Sequence, residues 1–382
     1  MGLLGFVGDF LGGMGWYILP FLVILSVVVF FHELGHYLVG RWCGVTIDAF
    51  SLGFGPELLA WVDRRGTRWR LAAFPLGGYV KFRGDSGVAS APDTEALAGM
   101  AQAERARTLA GQPVIKRAAI VAAGPVANFL LAIVIFTISF AIYGQYQLMP
   151  RVGGVEAGSP AELAGFKTGD LIKAANGATI DNFEDLHQAI STSTGLPIVF
   201  DFERAGQPMT ITATPTIANV DLPPFGKRRI GRLGIKASND PADRMFETCG
   251  LPQCFAWSVK DTWSIVETTG AYVGGLFAGR ESADQISGPI GVAQVAGEVA
   301  KISILALFSL TAVFSVSVGL MNLLPVPMLD GGHLLFYAIE ALRGRPLSER
   351  TQEIGLRIGI ALVAMLVIFS TSHDILRLVG RG

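Results

Sequence analysis

Charged residues are scarce in this chain of 382 residues, where Asp, Glu, Lys and Arg together make up 16% of the sequence. Soluble domains average about 25% charged residues. The hydrophobic content of 51% and the mean hydropathy of +0.48 are correspondingly high. This composition predicts a polytopic membrane protein with a soluble portion, so the lipid bilayer is one of its partners.

A basic excess and a cysteine framework are also missing. The net charge is −1, so nothing in the charge balance suggests a nucleic-acid partner. The three cysteines are too few for a disulfide scaffold or for a cysteine-based zinc site.

Long apolar stretches, by contrast, are present. Four of them are close to the roughly 20 residues that a helix needs to cross a bilayer: residues 16–39, 118–143, 303–324 and 355–372. The first is not expected to be a cleavable signal peptide, because no Lys or Arg precedes it and its apolar part is too long. We therefore predict about four transmembrane helices, the first of them uncleaved.

The distribution of Lys and Arg predicts the orientation of these helices in the membrane. Residues 1–15 contain neither, whereas the segment 41–117 contains eleven, and the loop after the third span is also basic. Both loops are expected in the cytoplasm, with both termini and residues 144–300 outside. Two arginines near the C-terminus argue weakly against this orientation.

The most informative motif is His32-Glu33-Leu34-Gly35-His36, which follows an uncharged run over residues 17–31. Positions i and i+4 of a helix lie on one face, so both histidines can reach one Zn²⁺. Glu33 lies beside them and can act on a water at the metal, as in zinc hydrolases with an HExxH motif. A chance pentapeptide on a buried helix is the alternative, but histidines in an apolar segment require a partner.

A third ligand is expected, because catalytic zinc normally takes three protein ligands and a water. Asp330 follows the third apolar segment, after Pro325 and Pro327, which break its helix. An ionisable side chain at membrane depth is a functional-site hypothesis by default. Since the first and third spans run in the same direction, the sequence predicts one Zn²⁺ per chain, bound by His32, His36 and Asp330.

Two polar residues near Asp330 have roles that the sequence leaves open. Asn322 can hydrogen-bond an extended substrate backbone or an oxyanion, or it can make a hydrogen bond between helices. His333 is expected beside the ligands or at a cytoplasmic interface, because a fourth protein ligand would leave no position for water.

The connection between the first two spans predicts a β-hairpin. Apolar strands over residues 57–62 and 68–74 flank a glycine-containing turn at 63–67. A hairpin this apolar is expected to dip into the membrane against other protein, where its backbone can be satisfied. The alternative is a small amphipathic hairpin on the surface.

Residues 151–240 resemble a bacterial PDZ domain. A helix opens at Asn182, two strands follow at 197–202 and 209–213, and glycine turns punctuate the segment. PDZ domains bind an extended peptide as an added strand, and residues 231–235 are the candidate loop and strand for its terminus. A steric cap that binds nothing is the alternative.

The segment beyond this module has two open features. Cys249 and Cys254 can form a disulfide on the outer side or remain free thiols. A helix over residues 255–277 is expected to lie near the membrane, with Phe255 and two tryptophans (Trp257 and Trp263) as interfacial anchors, or to pack against the PDZ-like module.

Six motifs together resemble the site-two protease family, and within it the bacterial RseP type (regulator of sigma-E protease), which cuts anti-sigma factors. They are HELGH, GFGP, PLGGYVK, AGPVANF (123–129), SGPIGVAQ (287–294) and NLLPVPMLDGGH. The resemblance covers essentially the whole chain in the family's order. One departure is the single PDZ-like module, where the best-known members carry two, which argues against a size filter built from tandem modules.

The resemblance implies a polytopic α-helical membrane protein with a membrane-dipping β-hairpin and one inserted α+β PDZ-like domain. Residues 1–143 would hold the first two spans and the hairpin, at about 44–83. Residues 144–240 would form the periplasmic PDZ-like domain, 241–300 a periplasmic linker with an amphipathic helix, and 301–382 the second pair of spans with the LDGG motif.

The function implied by the resemblance is that of an intramembrane zinc metalloprotease in the bacterial inner membrane, with its active site toward the cytoplasm. Glu33 would be the general base. The substrates would be single-span membrane proteins such as anti-sigma factors or remnant signal peptides, held by Gly53, Gly55, Asn322, Pro325 and Pro327, while a peptide would bind the PDZ-like domain. The alternatives are a metal-binding membrane transporter, disfavoured by the absence of inverted repeats, and a non-catalytic peptide-binding adaptor, disfavoured by the intact His, Glu and Asp set.

Overall fold

The computed structural model describes residues 3–85, 94–193, 195–222, 226–279 and 287–379. They divide into two compact units: the helical unit, Met1–Phe136 with Gly288–Gly382, and the inserted unit, Thr137–Ser287. The helices are α1 (Leu3–Trp42), α2 (Thr94–Gly99), α3 (Gln102–Arg105), α4 (Val114–Tyr143), α5 (Pro160–Ala164), α6 (Phe183–Thr192), α7 (Leu251–Phe277), α8 (Pro289–Ile302), α9 (Ile304–Asn322), α10 (Asp330–Arg343) and α11 (Glu349–Val379). The strands are β1 (Ile47–Val62), β2 (Arg68–Phe82), β3 (Gln145–Leu148), β4 (Val152–Val155), β5 (Leu171–Ala175), β6 (Ala178–Thr179), β7 (Ile198–Arg204), β8 (Gln207–Ala213), β9 (Thr216–Leu222), β10 (Gly226–Arg232), β11 (Ile235–Ala237) and β12 (Arg244–Glu247).

Four of the described helices are long and apolar enough to cross a membrane. They are α1 over Gly15–Trp42, α4 over Val114–Tyr143, α9 over Ile304–Asn322 and α11 over Arg350–Arg377. The four apolar segments predicted from the sequence are confirmed as candidate spans, and the chain is a polytopic membrane protein. α11 extends beyond the predicted 355–372 at both ends, because polar flanking residues continue the helix past its apolar part.

Glycines allow α1 and α4 to cross closely at the motif that carries the two histidines. A side chain at Gly35 would collide with the backbone carbonyl of Ala123, and one at Gly124 would collide with the ring of His36. Helices in lipid associate through close packing of small residues, since lipid tails are as apolar as the helices themselves. These two glycines therefore set the distance between α1 and α4.

The start of α8 is anchored to α11 by a buried carboxylate. α8 has no capping side chain of its own. Asp374, which is fully buried, accepts hydrogen bonds from the backbone N–H groups of Gly288 (3.2 Å) and Gly291 (2.8 Å) and pairs with Arg377 (3.1 Å). An anion at a helix N-terminus satisfies N–H groups that lack partners within the helix, so Asp374 fixes the entry of the SGPIGVAQ segment.

β1 and β2 form a hairpin with longer strands than the sequence predicts. Phe50 pairs with Val80 on one side and with Trp69 on the other, so the two strands fold into a sheet of four segments. The segments 78–82 and 57–62 lie at its two edges within the described residues.

The turn of this hairpin is tied to α1 by one carboxylate. Asp63 accepts hydrogen bonds from the Tyr37 hydroxyl (3.0 Å), from Trp69 Nε1 (3.1 Å) and from the backbone N–H groups of Arg65 and Thr67. Partial desolvation raises the pKa of Asp63, but these hydrogen bonds outweigh it and lower the pKa to about 2. The turn is therefore held by an ionised group that contacts Tyr37, the residue after His36.

The inserted unit has a conventional apolar core over a sheet of order β6-β5-β7-β8. Its core is made of large side chains that are almost completely buried, including Phe166, Leu186, Ile198, Phe200 and Phe202. α6 begins after Asn182, whose side chain accepts a hydrogen bond from the backbone N–H of Asp185. The candidate segment 231–235 is divided between two strands, because β10 ends at Arg232 and β11, which pairs with β4, begins at Ile235.

Cys249 and Cys254 form a disulfide at the start of α7, one of the two alternatives that the sequence left open. Along α7, Phe255 and Trp263 are more than half exposed, whereas Trp257 packs edge-on against Phe140. The helix thus presents aromatic side chains both outward and into the inserted unit.

Candidate metal centre

Two histidines on α1 and one aspartate at the start of α10 converge on a single point. His32 Nε2 lies 3.2 Å from His36 Nε2 and 3.1 Å from Asp330 Oδ2, and His36 Nε2 lies 3.5 Å from Asp330 Oδ1. Ligands about 2.0–2.2 Å from a tetrahedral zinc ion lie roughly 3.3–3.6 Å apart. The spacing of these three groups is therefore that of ligands around one metal ion.

The chemistry of the donor atoms also fits a metal. His36 Nδ1 donates a hydrogen bond to the backbone carbonyl of Ile120 (2.8 Å), which leaves the lone pair of Nε2 free for a metal. Asp330 Oδ2 is buried and has no hydrogen-bond partner among the described residues, although His32 Nε2 lies 3.1 Å away. A shared cation would satisfy this oxygen and both nitrogens at once.

Asp330 reaches this point through a break in the chain. α9 ends at Asn322, and the segment 323–329 leads to Asp330 at the first position of α10. Within it, Met328 adopts a φ of 113°, which is costly for a bulky side chain and persists only where surrounding structure enforces it.

Glycines on neighbouring elements provide that enforcement. A side chain at Gly331 would collide with the carbonyls of Leu323 and Leu324, and one at Gly359 of α11 would collide with the carbonyl of Pro327. The segment that carries Asp330 is thus packed backbone against backbone.

A polar clamp holds α10 against α4. Arg117 Nη1 and Nη2 donate to the two carboxylate oxygens of Glu340 (3.1 and 2.5 Å), and both side chains are largely buried. The Tyr337 ring lies under the guanidinium, 4.9 Å from its carbon. A bidentate pair of this kind restricts both distance and rotation, so it orients the helix that begins with Asp330.

The three converging groups open onto a cavity of about 440 Å³. Glu33 lines it beside the edge segment of β2, where a side chain at Gly78 would lie 3.0 Å from Glu33 Cγ. The other lining groups are mostly apolar, with Tyr79, Asn322, His333 and Tyr337 as the members that carry polar groups. The arrangement can therefore hold a metal, a carboxylate base and an apolar polypeptide in one space.

Not all the residues predicted to bind substrate line this cavity. Asn322 does, whereas Gly53, Gly55, Pro325 and Pro327 are not among its lining residues. The first two have a φ of 89° and bend β1 around Phe74. Pro327 packs against α11, as described above.

Sequence reasoning assigned no role to two residues of α4 that touch the histidines. Gly124 packs against both imidazole rings, and the Asn128 side chain lies 3.2 Å from His32 Nδ1. Both belong to the AGPVANF motif. A polar residue and small residues at helical spacing within an apolar span were the available signal.

Comparison with known proteins gives the family. The model of "Peptidase family M50" matches residues 20–366. The chain is 46% identical over 369 residues to "Putative zinc metalloprotease Atu1380" of Agrobacterium fabrum, covering 97% of this chain and 98% of the relative. It is 47% identical over 365 residues to "Putative zinc metalloprotease R01501" of Rhizobium meliloti, covering 95% and 98%. It is also 40% identical over 378 residues to "Metalloprotease MmpA" of Caulobacter vibrioides, covering 93% and 94%.

Proposed function

The chain belongs to peptidase family M50, the site-2 protease family, and from this premise we propose that it cleaves peptide bonds within the transmembrane segments of single-span membrane proteins. The family membership makes it a membrane metalloprotease that uses zinc. The finer proposal rests on one observation, the convergence of His32, His36 and Asp330 at the end of an apolar span.

In the proposed site, these three residues hold one zinc ion and Glu33 acts as general base. Bound zinc supplies Lewis acidity to the attacking water and to the scissile carbonyl. Glu33 takes the proton from that water and later delivers it to the leaving nitrogen. Asn322, which lines the cavity, would hydrogen-bond the substrate backbone.

The edge segment of β2 supports a way to hold the substrate extended. Residues 76–80 line the cavity with Glu33, and residues 78–80 pair with β1 on one side only within the described residues. A helical substrate hides its peptide bonds, but a segment added to this edge as a strand would present them to Glu33.

The outer edge of the sheet supports insertion of the hairpin into the membrane. Leu58, Leu59, Trp61 and Val62 are each more than half exposed. Successive side chains of a strand point to opposite faces, so this strand is apolar on both sides. Lipid is the environment that such a strand fits, since large exposed apolar patches are rare in water.

We place the protein in the bacterial inner membrane, with residues 144–300 in the periplasm and the active site toward the cytoplasm. The Lys and Arg distribution described above carries this orientation. The Cys249–Cys254 disulfide supports it, since disulfides persist in oxidising compartments such as the periplasm.

We assign a recognition role to the inserted unit, whose PDZ-like segment would bind a peptide terminus or exclude unsuitable substrates. Its separate apolar core supports this division of labour. Deleting residues 151–240 is expected to change which substrates are cut while the chemistry remains. If the deletion variant folds and binds zinc but cleaves nothing, the unit has a catalytic or structural role instead.

The deciding experiment is cleavage of a fluorescently tagged single-span substrate by the purified protein in detergent, with the cut site mapped by mass spectrometry. Candidate substrates include an anti-sigma factor and a remnant signal peptide. We expect cleavage inside the transmembrane segment, lost with a zinc chelator and with Asp330→Asn, and restored to the wild type by added zinc.

Other outcomes would contradict the proposal in distinct ways. A cut outside the transmembrane segment would make the protein an ordinary membrane-anchored protease. Equal cleavage with and without chelator would expose a contaminating protease. Zinc binding without cleavage of any transmembrane substrate would favour the transporter or adaptor alternatives.

A further inference from the structure

We propose that Asn128 is a positioning residue for the metal site, and that its side-chain oxygen accepts the proton on His32 Nδ1. This inference rests on the proposed assignment of His32 as a zinc ligand. It adds a residue from α4, a helix that provides none of the three proposed ligands.

Asn128 lies at a point where three helices meet. It is completely buried on α4, and its amide nitrogen is 3.2 Å from His32 Nδ1 on α1. On the α9 side, the Ser315 hydroxyl donates to the Asn128 backbone carbonyl (2.8 Å), and a side chain at Gly319 would lie 3.2 Å from the Asn128 Cβ. The amide group is thus confined next to the histidine ring.

One of the two polar atoms of the Asn128 side chain lacks a hydrogen bond. Asn128 Oδ1 is buried and has no hydrogen-bond partner among the described residues, while the NH₂ group faces the histidine. A buried amide oxygen without a partner is costly. The oxygen and nitrogen of an amide have nearly the same shape, so their assignment follows from the hydrogen bonds that they can make.

The proton on His32 decides that assignment. His32 Nε2 faces Asp330 and His36, so it must carry a lone pair if it binds a metal. In a neutral imidazole the other nitrogen, Nδ1, then carries the proton and acts as a donor. A donor needs an acceptor, so the amide must present Oδ1 to the ring, the reverse of the NH₂ contact.

The neighbouring histidine, His36, makes the corresponding hydrogen bond through its Nδ1 to a different acceptor. His36 Nδ1 donates to the backbone carbonyl of Ile120 on α4. Both rings would then be oriented by oxygens of one helix, a main-chain oxygen for His36 and a side-chain oxygen for His32. Metal-ligating histidines almost always donate their second N–H in this way, and loss of the acceptor typically costs about 10–100-fold in metal affinity.

The test compares two substitutions of similar size in the full-length protein. Asn128→Asp keeps an acceptor and removes the NH₂ group, whereas Asn128→Leu removes both. Zinc affinity is measured by competition with a chromogenic chelator, and ligand geometry by the visible spectrum of the Co²⁺-loaded protein. Ser315→Ala serves as the matched control, since it alters a contact of Asn128 without touching its amide.

We expect Asn128→Leu to weaken zinc binding by about 10–100-fold and to alter the Co²⁺ spectrum, while Asn128→Asp and Ser315→Ala remain within a few-fold of wild type. Wild-type affinity in Asn128→Leu would overturn the proposal. So would an equal loss in both Asn128 variants, since the site would then need the NH₂ group that both substitutions remove.

These measurements need no substrate, so they separate two kinds of failure. If the wild type binds zinc and cleaves nothing, the proposed protease function fails and the role of Asn128 can still be measured. If His32→Ala leaves the zinc affinity of the wild type unchanged, His32 is not a ligand and the present inference fails with it.

Discussion

The inserted unit is packed through large buried side chains, whereas the helical unit is packed through glycines that let backbones approach closely. In the first, Phe200 and Phe202 bury their rings in a core of large side chains. In the second, the approach of α4 to the histidines depends on Gly35 and Gly124, and the Asp330 segment depends on Gly359. Water drives apolar side chains together, but lipid does not, so spans gain contact through close backbone packing and buried polar groups.

The comparison teaches where each unit is vulnerable. A core of large side chains loses stability when atoms are removed, whereas a glycine contact fails when atoms are added. Substitutions in the helical unit should therefore affect zinc affinity or cleavage most. Substitutions in the inserted unit should mainly lower its unfolding temperature.

The largest expected effect is chemical and lies in the helical unit. Glu33→Gln preserves the volume of the side chain but cannot accept the water proton, so cleavage should fall by about 10²–10⁴-fold. Zinc content should stay at the wild-type level, since Glu33 is not among the three converging groups. Substrate turnover and metal analysis on the same sample measure both. Turnover near wild type would remove Glu33 from the mechanism.

A cavity in the core of the inserted unit should have the next largest effect. Phe200 is fully buried, and Phe→Ala at such a site costs about 3–5 kcal/mol. Phe200→Ala should lower the unfolding temperature of this unit while zinc affinity is unchanged. Calorimetry measures the unfolding temperature, and competition with a chelator measures the zinc affinity. A parallel fall in zinc affinity would show that the two units do not fail separately.

An added methyl group in the helical unit should cost less stability than Phe200→Ala but should lower zinc affinity more. The methyl group of Gly124→Ala would collide with His36 Nε2 and lie 2.8 Å from His32 Cε1, and overpacking of this kind costs about 1–3 kcal/mol. We expect weaker zinc binding with little change in the inserted unit. Gly15→Ala on α1, where a methyl group meets nothing, is the control. Equal zinc affinity in both variants would contradict the packing argument.

The smallest effect concerns the hairpin turn and appears only in acid. The pKa of Asp63 falls from its ordinary 3.8 to about 2 in the folded protein, so ionised Asp63 stabilises the fold above about pH 4. This contribution is lost as the pH falls through about 2. Thermal unfolding of wild type and Asp63→Asn between pH 5 and 2 should converge at low pH. Parallel curves would show that Asp63 does not hold the turn.

The sequence was sufficient to predict the candidate spans and the three side chains that converge beside them. Runs of apolar residues near 20 in length predicted all four candidate spans, because the bilayer fixes the length that a helix needs. His32, Glu33 and His36 were predicted from spacing on one helix. Asp330 was predicted from its chemistry, as an ionisable side chain beside an apolar span. These inferences depend on residue type and local geometry, which a single chain segment contains.

The sequence did not predict contacts between segments that are far apart along the chain. It did not predict that the two long strands fold back into a sheet of four segments, which brings residues 76–80 to the cavity. It also gave no role to Asp374, whose partners Gly288 and Gly291 lie more than 80 positions away.

What the sequence by itself determined is a set of donors: two imidazoles one helical turn apart, a carboxylate between them, and another carboxylate 294 positions after His36. The tertiary structure alone decided that the two imidazoles and the second of these carboxylates converge on one point, and that Ile120 and Asn128 lie against the two rings. The reason is physical. Helical periodicity and residue chemistry are local, whereas the approach of Gly124, Ile120 and Asn128 to the histidines exists only once α4 has packed against α1.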